Sequence, residues 1–170
     1  DKIEKYITKK TKAIMVVHLH GLMCNMDIIY KIAKKYNLKI IEDAAQAHGS
    51  SYKNKSPGFY SDVATFSFYP TKNLGAIGEG GAIITNNKTI YEKAKRMRAW
   101  SHKKYEFYEI SFNYRMTEFS AISLISKIKF LDSDIKKRNL IANKYKKLLK
   151  VKNYSNYNAK KKKHSFHIFA

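Results

Sequence analysis

The chain has 170 residues, with 34 Lys+Arg against 13 Asp+Glu, a formal net charge of +21 and a hydrophobic fraction of 44%. That length suits one domain with its own core, the apolar content excludes wholesale disorder, and no run approaches the ~18 apolar residues that a membrane span needs. The single cysteine, Cys24, excludes a disulfide framework and any Cys-based zinc site, and fits a reducing cytosol.

The opening Asp1-Lys2-Ile3-Glu4 is too charged for a signal peptide, and the missing initiator Met points to a start further upstream. Residues 13–19 form an apolar run closed by Gly21 and predict a buried strand. Asn25-Met26-Asp27 can cap a helix whose Ile28, Ile29, Ile32 and Ala33 fall at helical spacing. Residues 38–41 predict a second strand that ends abruptly in Glu42-Asp43. Strand, helix, strand in so short a span is a βαβ unit, so a parallel sheet follows. Residues 49–62, rich in Ser, Gly, Asn and Pro, predict a loop. Strands follow at 63–68 and 82–85, separated by Tyr69-Pro70-Thr71-Lys72-Asn73-Leu74-Gly75 and Gly78-Glu79-Gly80-Gly81. A helix covers 88–98, and residues 100–113 show no clear period. Thr117 begins a helix with Phe119, Ile122, Leu124, Ile125 and Ile128 as its apolar positions. Another covers 132–149, with a stripe of Ile135, Leu140, Ile141, Tyr145 and Leu148. Residues 150–163 read as a linker, and 165–170 as a strand with nothing after it to pair with. An α/β body ending in an orphan strand predicts a truncated second domain.

Three residues can carry chemistry: Asp43 at a strand end, Ser67 within a strand and Lys72 just past it. Carboxyl ends of parallel strands are where ligands bind in open α/β sheets. A Lys in a semi-buried crevice has its charged form disfavoured and can act as an amine nucleophile. A carboxylate nearby can hold a protonated ring nitrogen, and a hydroxyl with glycine amides can hold a phosphate. Each also has a bland reading, as a turn cap, an ordinary strand residue and one of thirty lysines. The glycines form no dinucleotide fingerprint, since no helix starts at the right place. They form no P-loop either, because Lys72 precedes them.

The segments Ile41-Glu42-Asp43-Ala44-Ala45-Gln46-Ala47-His48-Gly49, Phe66-Ser67-Phe68-Tyr69-Pro70-Thr71-Lys72-Asn73-Leu74-Gly75 and Gly78-Glu79-Gly80-Gly81-Ala82 closely resemble the DegT/DnrJ/EryC1/StrS family of sugar aminotransferases. His18-Leu19-His20-Gly21, Met26-Asp27, Asn113-Tyr114-Arg115-Met116, Lys127 to Leu131 and Arg138 support the match in order and spacing over nearly the whole chain. The resemblance implies a pyridoxal 5'-phosphate (PLP) enzyme of the aspartate-aminotransferase fold (fold type I). On that reading residues 1–131 are part of the cofactor-binding large domain, its N-terminal part missing. Residues 132–170 are then a connecting helix and the first strand of a truncated C-terminal domain. The resemblance makes Lys72 the lysine that joins the cofactor and shuttles protons, and Asp43 the partner of the pyridine nitrogen. It places Gln46 against the ring and its phenolic oxygen, makes Ser67 a phosphate ligand, and makes Asn113 a phosphate ligand reaching in from the neighbouring subunit of a homodimer. Lys at position 72, where some members carry His and act as dehydratases, marks the aminotransferase version. The implied reaction moves an amino group from an amino acid, glutamate by expectation, to a nucleotide-linked keto-sugar for cell-surface polysaccharide or related amino-sugar biosynthesis in the cytoplasm. Ser101 and Ser111 stand where the family has glycine, and serine there would be strained if the backbone needs positive φ.

The charge itself names no partner. The 30 Lys far exceed the 4 Arg, whereas nucleic-acid readers lean on the bidentate Arg fork. Lys, Ile, Asn, Tyr and Phe, whose codons are rich in A and T, supply 83 of the 170 residues, so coding bias explains the surplus. A basic nucleic-acid-binding module is therefore the weaker alternative, and no specific nucleic acid is expected. An inactive truncated remnant is the other, and the intact Asp43, Ser67 and Lys72 argue against it.

Overall fold

The computed structural model describes residues 2–99, 110–149 and 161–170. Four strands form the main sheet: β1 (Ala13–Val17), β2 (Lys39–Asp43), β4 (Val63–Ser67) and β5 (Gly81–Ile84), in the order β1-β2-β4-β5. β1 and β2 run parallel, with Ala13 opposite Lys39 and Val17 opposite Asp43, and helix α1 (Met26–Lys35) joins them as the expected βαβ unit. β2 and β4 are parallel, with Asp43 opposite Thr65, while β4 and β5 are antiparallel, with Ser67 opposite Gly81. A two-stranded ribbon pairs β3 (Ser51–Tyr52) with β6 (Lys162–Lys163).

Residues opposite one another in register share a face of the sheet, and successive residues alternate faces. Ile14 and Val16 of β1 and Ile40 of β2 therefore lie on one face, where Met26, Ile29, Ile32 and Ala33 of α1 bury against them together with Met23. Met15, Val17 and Ile83 lie on the other face and are exposed. Parallel sheets ordinarily bury both faces; here one is covered and one is open.

α1 starts where the sequence predicts, but Asn25 does not cap it with its side chain; its Oδ1 accepts the Tyr52 hydroxyl at 2.7 Å instead. The caps of α2 (Lys88–Arg98) and α3 (Glu118–Ile128) are conventional. Asn87 Oδ1 accepts Ile90 N–H, and Thr117 Oγ1 accepts Ser120 N–H.

Two helices bury only part of the apolar pattern predicted for them, Leu124 in α3 and Ile135 in α4. In α3, Phe119 is 81% and Ile125 72% exposed, while Ser120, Ser123 and Leu124 are buried. In α4 (Leu131–Leu148), Ile135 and Ala142 are buried, and Leu140, Ile141, Tyr145 and Leu148 are exposed. The neighbour decides the face: α3 lies against a loop whose backbone needs polar partners, as described below. Ile135 enters α4's contact because Gly49, at φ +71°, has no Cβ; one built there would lie 2.1 Å from Ile135 Cδ1.

The predicted strand at 165–170 does not form. β6 ends at Lys163, and the segment beyond it spends its backbone groups on the turn after β1. Ser165 N–H bonds Gly21 C=O at 3.0 Å and His167 N–H bonds His20 C=O at 2.9 Å, while an Arg138 guanidinium N–H donates to Phe166 C=O. The readings for residues 100–109, Ser101 among them, and for 150–160 of the linker lie outside the described residues. Ser111 lies within them and does not adopt positive φ, so serine is unstrained there.

Ile135→Ala is expected to cost about 2–5 kcal/mol, as for a fully buried aliphatic side chain, whereas Leu140→Ala should change stability by no more than about 0.5 kcal/mol. Chemical unfolding midpoints of the two variants check the assignment of the inner face.

Candidate functional site

Asp43 closes β2 on the open face of the sheet. Its register partner Thr65 and, two residues further along β4, Ser67 lie on that same face. Asp43 Oδ1 accepts Ala45 N–H at 3.0 Å, which fixes the carboxylate against its own turn. Ala44 N–H bonds Thr65 C=O, carrying the pairing one step beyond the strand, and the buried Ala44 and Ala47 seat the turn that presents Gln46. Gln46 Oε1 accepts His20 N–H at 2.7 Å, so its amide NH2 is the end that remains to donate. Ser67 Oγ accepts Tyr69 N–H at 3.2 Å, which leaves its O–H as a donor.

Lys72 sits in the turn that follows β4, where its own N–H bonds Tyr69 C=O. The side chain is half-buried. Phe68 N–H to Gly80 C=O and Ala76 N–H to Phe68 C=O close the base of this loop. Gly75 is required by space, since a Cβ there would lie 2.3 Å from Pro70 O. Asn113 lies on the segment that leads into α3. It is exposed, its backbone bridges Ala99, and its Oδ1 accepts Arg115 Nε–H at 3.1 Å. The structure thus brings Asp43 and Ser67 onto one face, with Gln46 and Lys72 in the turns that follow the two strands.

Behind the sheet lies a pair that the sequence reading quoted within its motifs without giving either residue a role. His18 Nε2 and Glu42 Oε2 are 2.6 Å apart, and both side chains are fully buried. Gly58 N–H bonds Glu42 Oε1, and Cys24 N–H reaches His18 Nδ1 at 3.3 Å. Burial pushes the His18 imidazole down, but the side chains of Cys24 and Glu42 outweigh this and raise it to about 9. Burial alone would raise the Glu42 carboxyl; the bond to His18 and the Gly58 amide hold it below its ordinary value. The signal was present in the sequence: Ile14, Val16, His18 and Ile40, Glu42 are inward positions of two alternating strands, so both polar residues had to meet a partner inside.

Three other histidines are pushed the opposite way. Burial, with the His167 ring and the Lys72 ammonium nearby, lowers His48 to about 4, the Ser67 backbone working against the shift. Its ring packs against Phe66 and Phe68 at 5.2 and 5.7 Å between centroids. Burial lowers His164 to about 4 and also lowers His167, whose imidazole feels Lys72 and Arg138. Of these three, His48 and His167 are the two that feel the Lys72 charge.

These directions fix the pH profile of stability. His18, raised above 6.5, contributes fully below pH 6.5 and loses that contribution as pH rises through about 9. Glu42, lowered from 4.5, contributes above pH 4.5 and loses it as pH falls through its depressed value. His48 and His164, lowered to about 4, make the fold lose stability as pH falls from 6.5 toward 4. Unfolding free energy is expected to peak near pH 6.5 and to decline on both sides. Glu42→Gln should cost about 3–5 kcal/mol, because it strands a buried partner, and should weaken the alkaline decline. Urea titrations between pH 4 and 9 measure both effects.

Comparison with known proteins places the chain as a whole. The family model described as DegT/DnrJ/EryC1/StrS aminotransferase family matches residues 1–170. A dTDP-3-amino-3,6-dideoxy-alpha-D-galactopyranose transaminase of Aneurinibacillus thermoaerophilus is 49% identical over 145 residues, covering 85% of this chain and 40% of that protein. The crystal structure of DesV from S. venezuelae superposes with a TM-score of 0.90 at 35% identity, over 98% of this chain and 46% of its own. NtdA from Bacillus subtilis, solved with its cofactor PMP bound, gives a TM-score of 0.86 at 32% identity, over 98% of this chain and 39% of its own. The chain thus spans less than half the length of these relatives.

Proposed function

The chain belongs to the DegT/DnrJ/EryC1/StrS aminotransferase family, and from that premise we propose that the protein it forms part of moves an amino group from an amino acid, with glutamate as donor, to a nucleotide-linked keto-sugar. Its α/β body, with a mainly parallel sheet, is a partial large domain of the fold type I aminotransferases. We assign residues 1–131 to that domain, and residues 132–170 to the connecting helix and the start of the smaller C-terminal domain. The open face of the sheet, with Met15, Val17 and Ile83 exposed, suits a further layer packed on it.

The observation that carries the reading is the donor set at the carboxyl ends of β2 and β4. A fixed carboxylate, a hydroxyl and an amide lie on or beside one sheet face, and an amine sits in the turn that follows. That chemistry fits pyridoxal phosphate, which has a basic ring nitrogen, a phosphate, a phenolic oxygen and an aldehyde. When bound, the cofactor supplies an electron sink for the carbon that bears the transferred nitrogen. In this reading the Asp43 carboxylate accepts the proton-bearing pyridine nitrogen as its partner and keeps it charged. Ser67 O–H donates to the phosphate, and the Gln46 amide donates toward the phenolic oxygen. Lys72 Nζ would hold the aldehyde end of the cofactor, and the same amine would take and return the proton at the substrate's reacting carbon. Burial lowers both His48 and His167, so neither imidazole adds a positive charge beside Lys72.

A homodimer completes the reading, with Asn113 reaching the phosphate of the neighbouring subunit. Two features support it: Asn113 is exposed, and the outer side of α3 presents Phe119, Ile122, Ile125 and Ile128 to solvent. No helix among the described residues is long and apolar enough to cross a membrane, and a cytoplasmic enzyme is the matching proposal.

Full-length protein mixed with pyridoxal phosphate is expected to develop a visible absorption band. Borohydride should then fix the cofactor on Lys72, as peptide mass spectrometry would show, and Lys72→Ala should abolish both signals. A reduced, colourless product with Lys72 unmodified would end the aminotransferase reading. The 170-residue chain alone is expected to bind the cofactor weakly, and tight binding would show that the remainder of the protein contributes little to the site.

A further inference from the structure

The loop that carries Lys72 lies against α3. Leu74 and Ala76 bury against Leu124, with Phe68, Met116 and Leu131 around them. Apolar contact of this kind sets how close the loop lies but not its register, because dispersion and hydrophobic burial are non-directional.

Directional contacts come from a polar stripe on the same helix. Ser123 Oγ accepts Ile77 N–H at 3.2 Å, and Ser120 O–H donates to Ile77 C=O at 2.5 Å, so both backbone groups of one exposed loop residue are held. Lys127 Nζ donates to Gly75 C=O at 2.7 Å. Positions 120, 123 and 127 are i, i+3 and i+7, a single face of a helix. The hydroxyls have little freedom to rotate. Ser123 commits its proton to Ser120 C=O at 2.7 Å, which leaves a lone pair for Ile77 N–H. Ser120 gives its proton to Ile77 C=O and accepts from Thr117 Oγ1–H at 3.0 Å. Both serines are buried, so these bonds do not exchange with water.

We propose that the Ser120–Ser123–Lys127 stripe sets the position of the loop and, through it, of Lys72, making these three residues positioning residues for the amine. They act through Ile77 and Gly75 and do not touch the cofactor themselves. The inference rests on the reading of Lys72 as the cofactor-holding lysine.

The test uses the full-length protein and the variants Ser123→Ala, Lys127→Met, their combination, and Lys127→Gln, which keeps a donor. Lys129→Met, at the exposed C-cap just past the same helix, is the control. Hydrogen exchange of the cofactor-free protein reads the loop directly, and borohydride trapping of pyridoxal phosphate at Lys72 reads the amine. The combined variant is expected to exchange the Ile77 amide faster and to trap cofactor at Lys72 about tenfold more slowly, as small misplacements of reacting groups do. Its unfolding midpoint and the labelling of other lysines should match those of the wild type. Lys127→Gln should recover most of the rate lost in Lys127→Met, and Lys129→Met should lose none. The proposal is overturned if the combined variant exchanges Ile77 and labels Lys72 as the wild type does. It is equally overturned if the unfolding midpoint and the labelling of all lysines fall together, which would make the stripe merely structural. If wild-type Lys72 itself takes no label, the cofactor reading fails, while the Ile77 exchange comparison still decides whether the stripe holds the loop.

Discussion

His18 and Glu42 meet at 2.6 Å behind the sheet, each fully buried, and this contact dictates where the chemistry can be. In an extended strand neighbouring residues face opposite ways. With Glu42 drawn inward to His18, Asp43 must face outward, and its register partners Val17 and Thr65 face out with it. A one-residue slip of β2 would bury Asp43 and expel Glu42, leaving His18 alone in the interior, which costs several kcal/mol. The buried pair therefore acts as a register lock for the end of β2. Motif reading sees Asp43; the physics that aims Asp43 resides in its predecessor.

The same logic extends to the turns beyond the strands. Gln46 is oriented by the amide of His20, and the His20-Gly21 turn is in turn occupied by Ser165 and His167. Gly21 has φ +90°, and a Cβ on it would lie 2.2 Å from Ser165 Oγ, so the turn is shaped to admit that segment. Ser50 Oγ adds bonds to Gly21 C=O and Ser165 Oγ, and Asn73, the neighbour of Lys72, donates to Ser165 C=O. One short stretch near the C-terminal end of the chain thus touches the turns that carry both Gln46 and Lys72. Movement of that stretch would be felt at the two turns together.

Much of this was legible in the sequence, and the exceptions have a common cause. The strands, the βαβ unit, the bounds of α2 and the special residues of the Lys72 loop follow from local pattern, because period, caps and glycine requirements are properties of neighbouring residues. The inner faces of α3 and α4 follow it only at Leu124 and Ile135. Phe119, Ile122, Ile125 and Ile128 form a good apolar set, yet the helix turns Ser120 and Ser123 inward. Pattern reading assumes that the contact partner is an apolar core, whereas α3's partner is a loop with backbone groups to satisfy. The 165–170 segment misleads for the same reason: its alternation resembles a strand, but its amides found the His20-Gly21 carbonyls instead of a strand edge. Of the site, Asp43, Ser67 and Lys72 were visible as residue types at strand ends, while the hydrogen bonds that hold their turns link residues far apart in sequence.

Why α3 should spend buried serines on a loop can be argued from energies. A net hydrogen bond contributes only about 0.5–1.5 kcal/mol, and Ile77, being exposed, could satisfy its N–H and C=O with water at little loss. The clamp is therefore a poor device for stability alone. An apolar pair at positions 120 and 123 would bury more hydrophobic area against Leu74 and Ala76, yet it would let the loop slide. Two directional bonds on one residue remove that freedom, and the ammonium of Lys127 fixes a second point at Gly75. With both sides of the loop's base tied by the Phe68–Gly80 and Phe68–Ala76 bonds, Lys72 stands in a loop fixed at each end. The gain is in where the amine sits, and a lysine that must meet an aldehyde repeatedly has more use for position than for another kilocalorie.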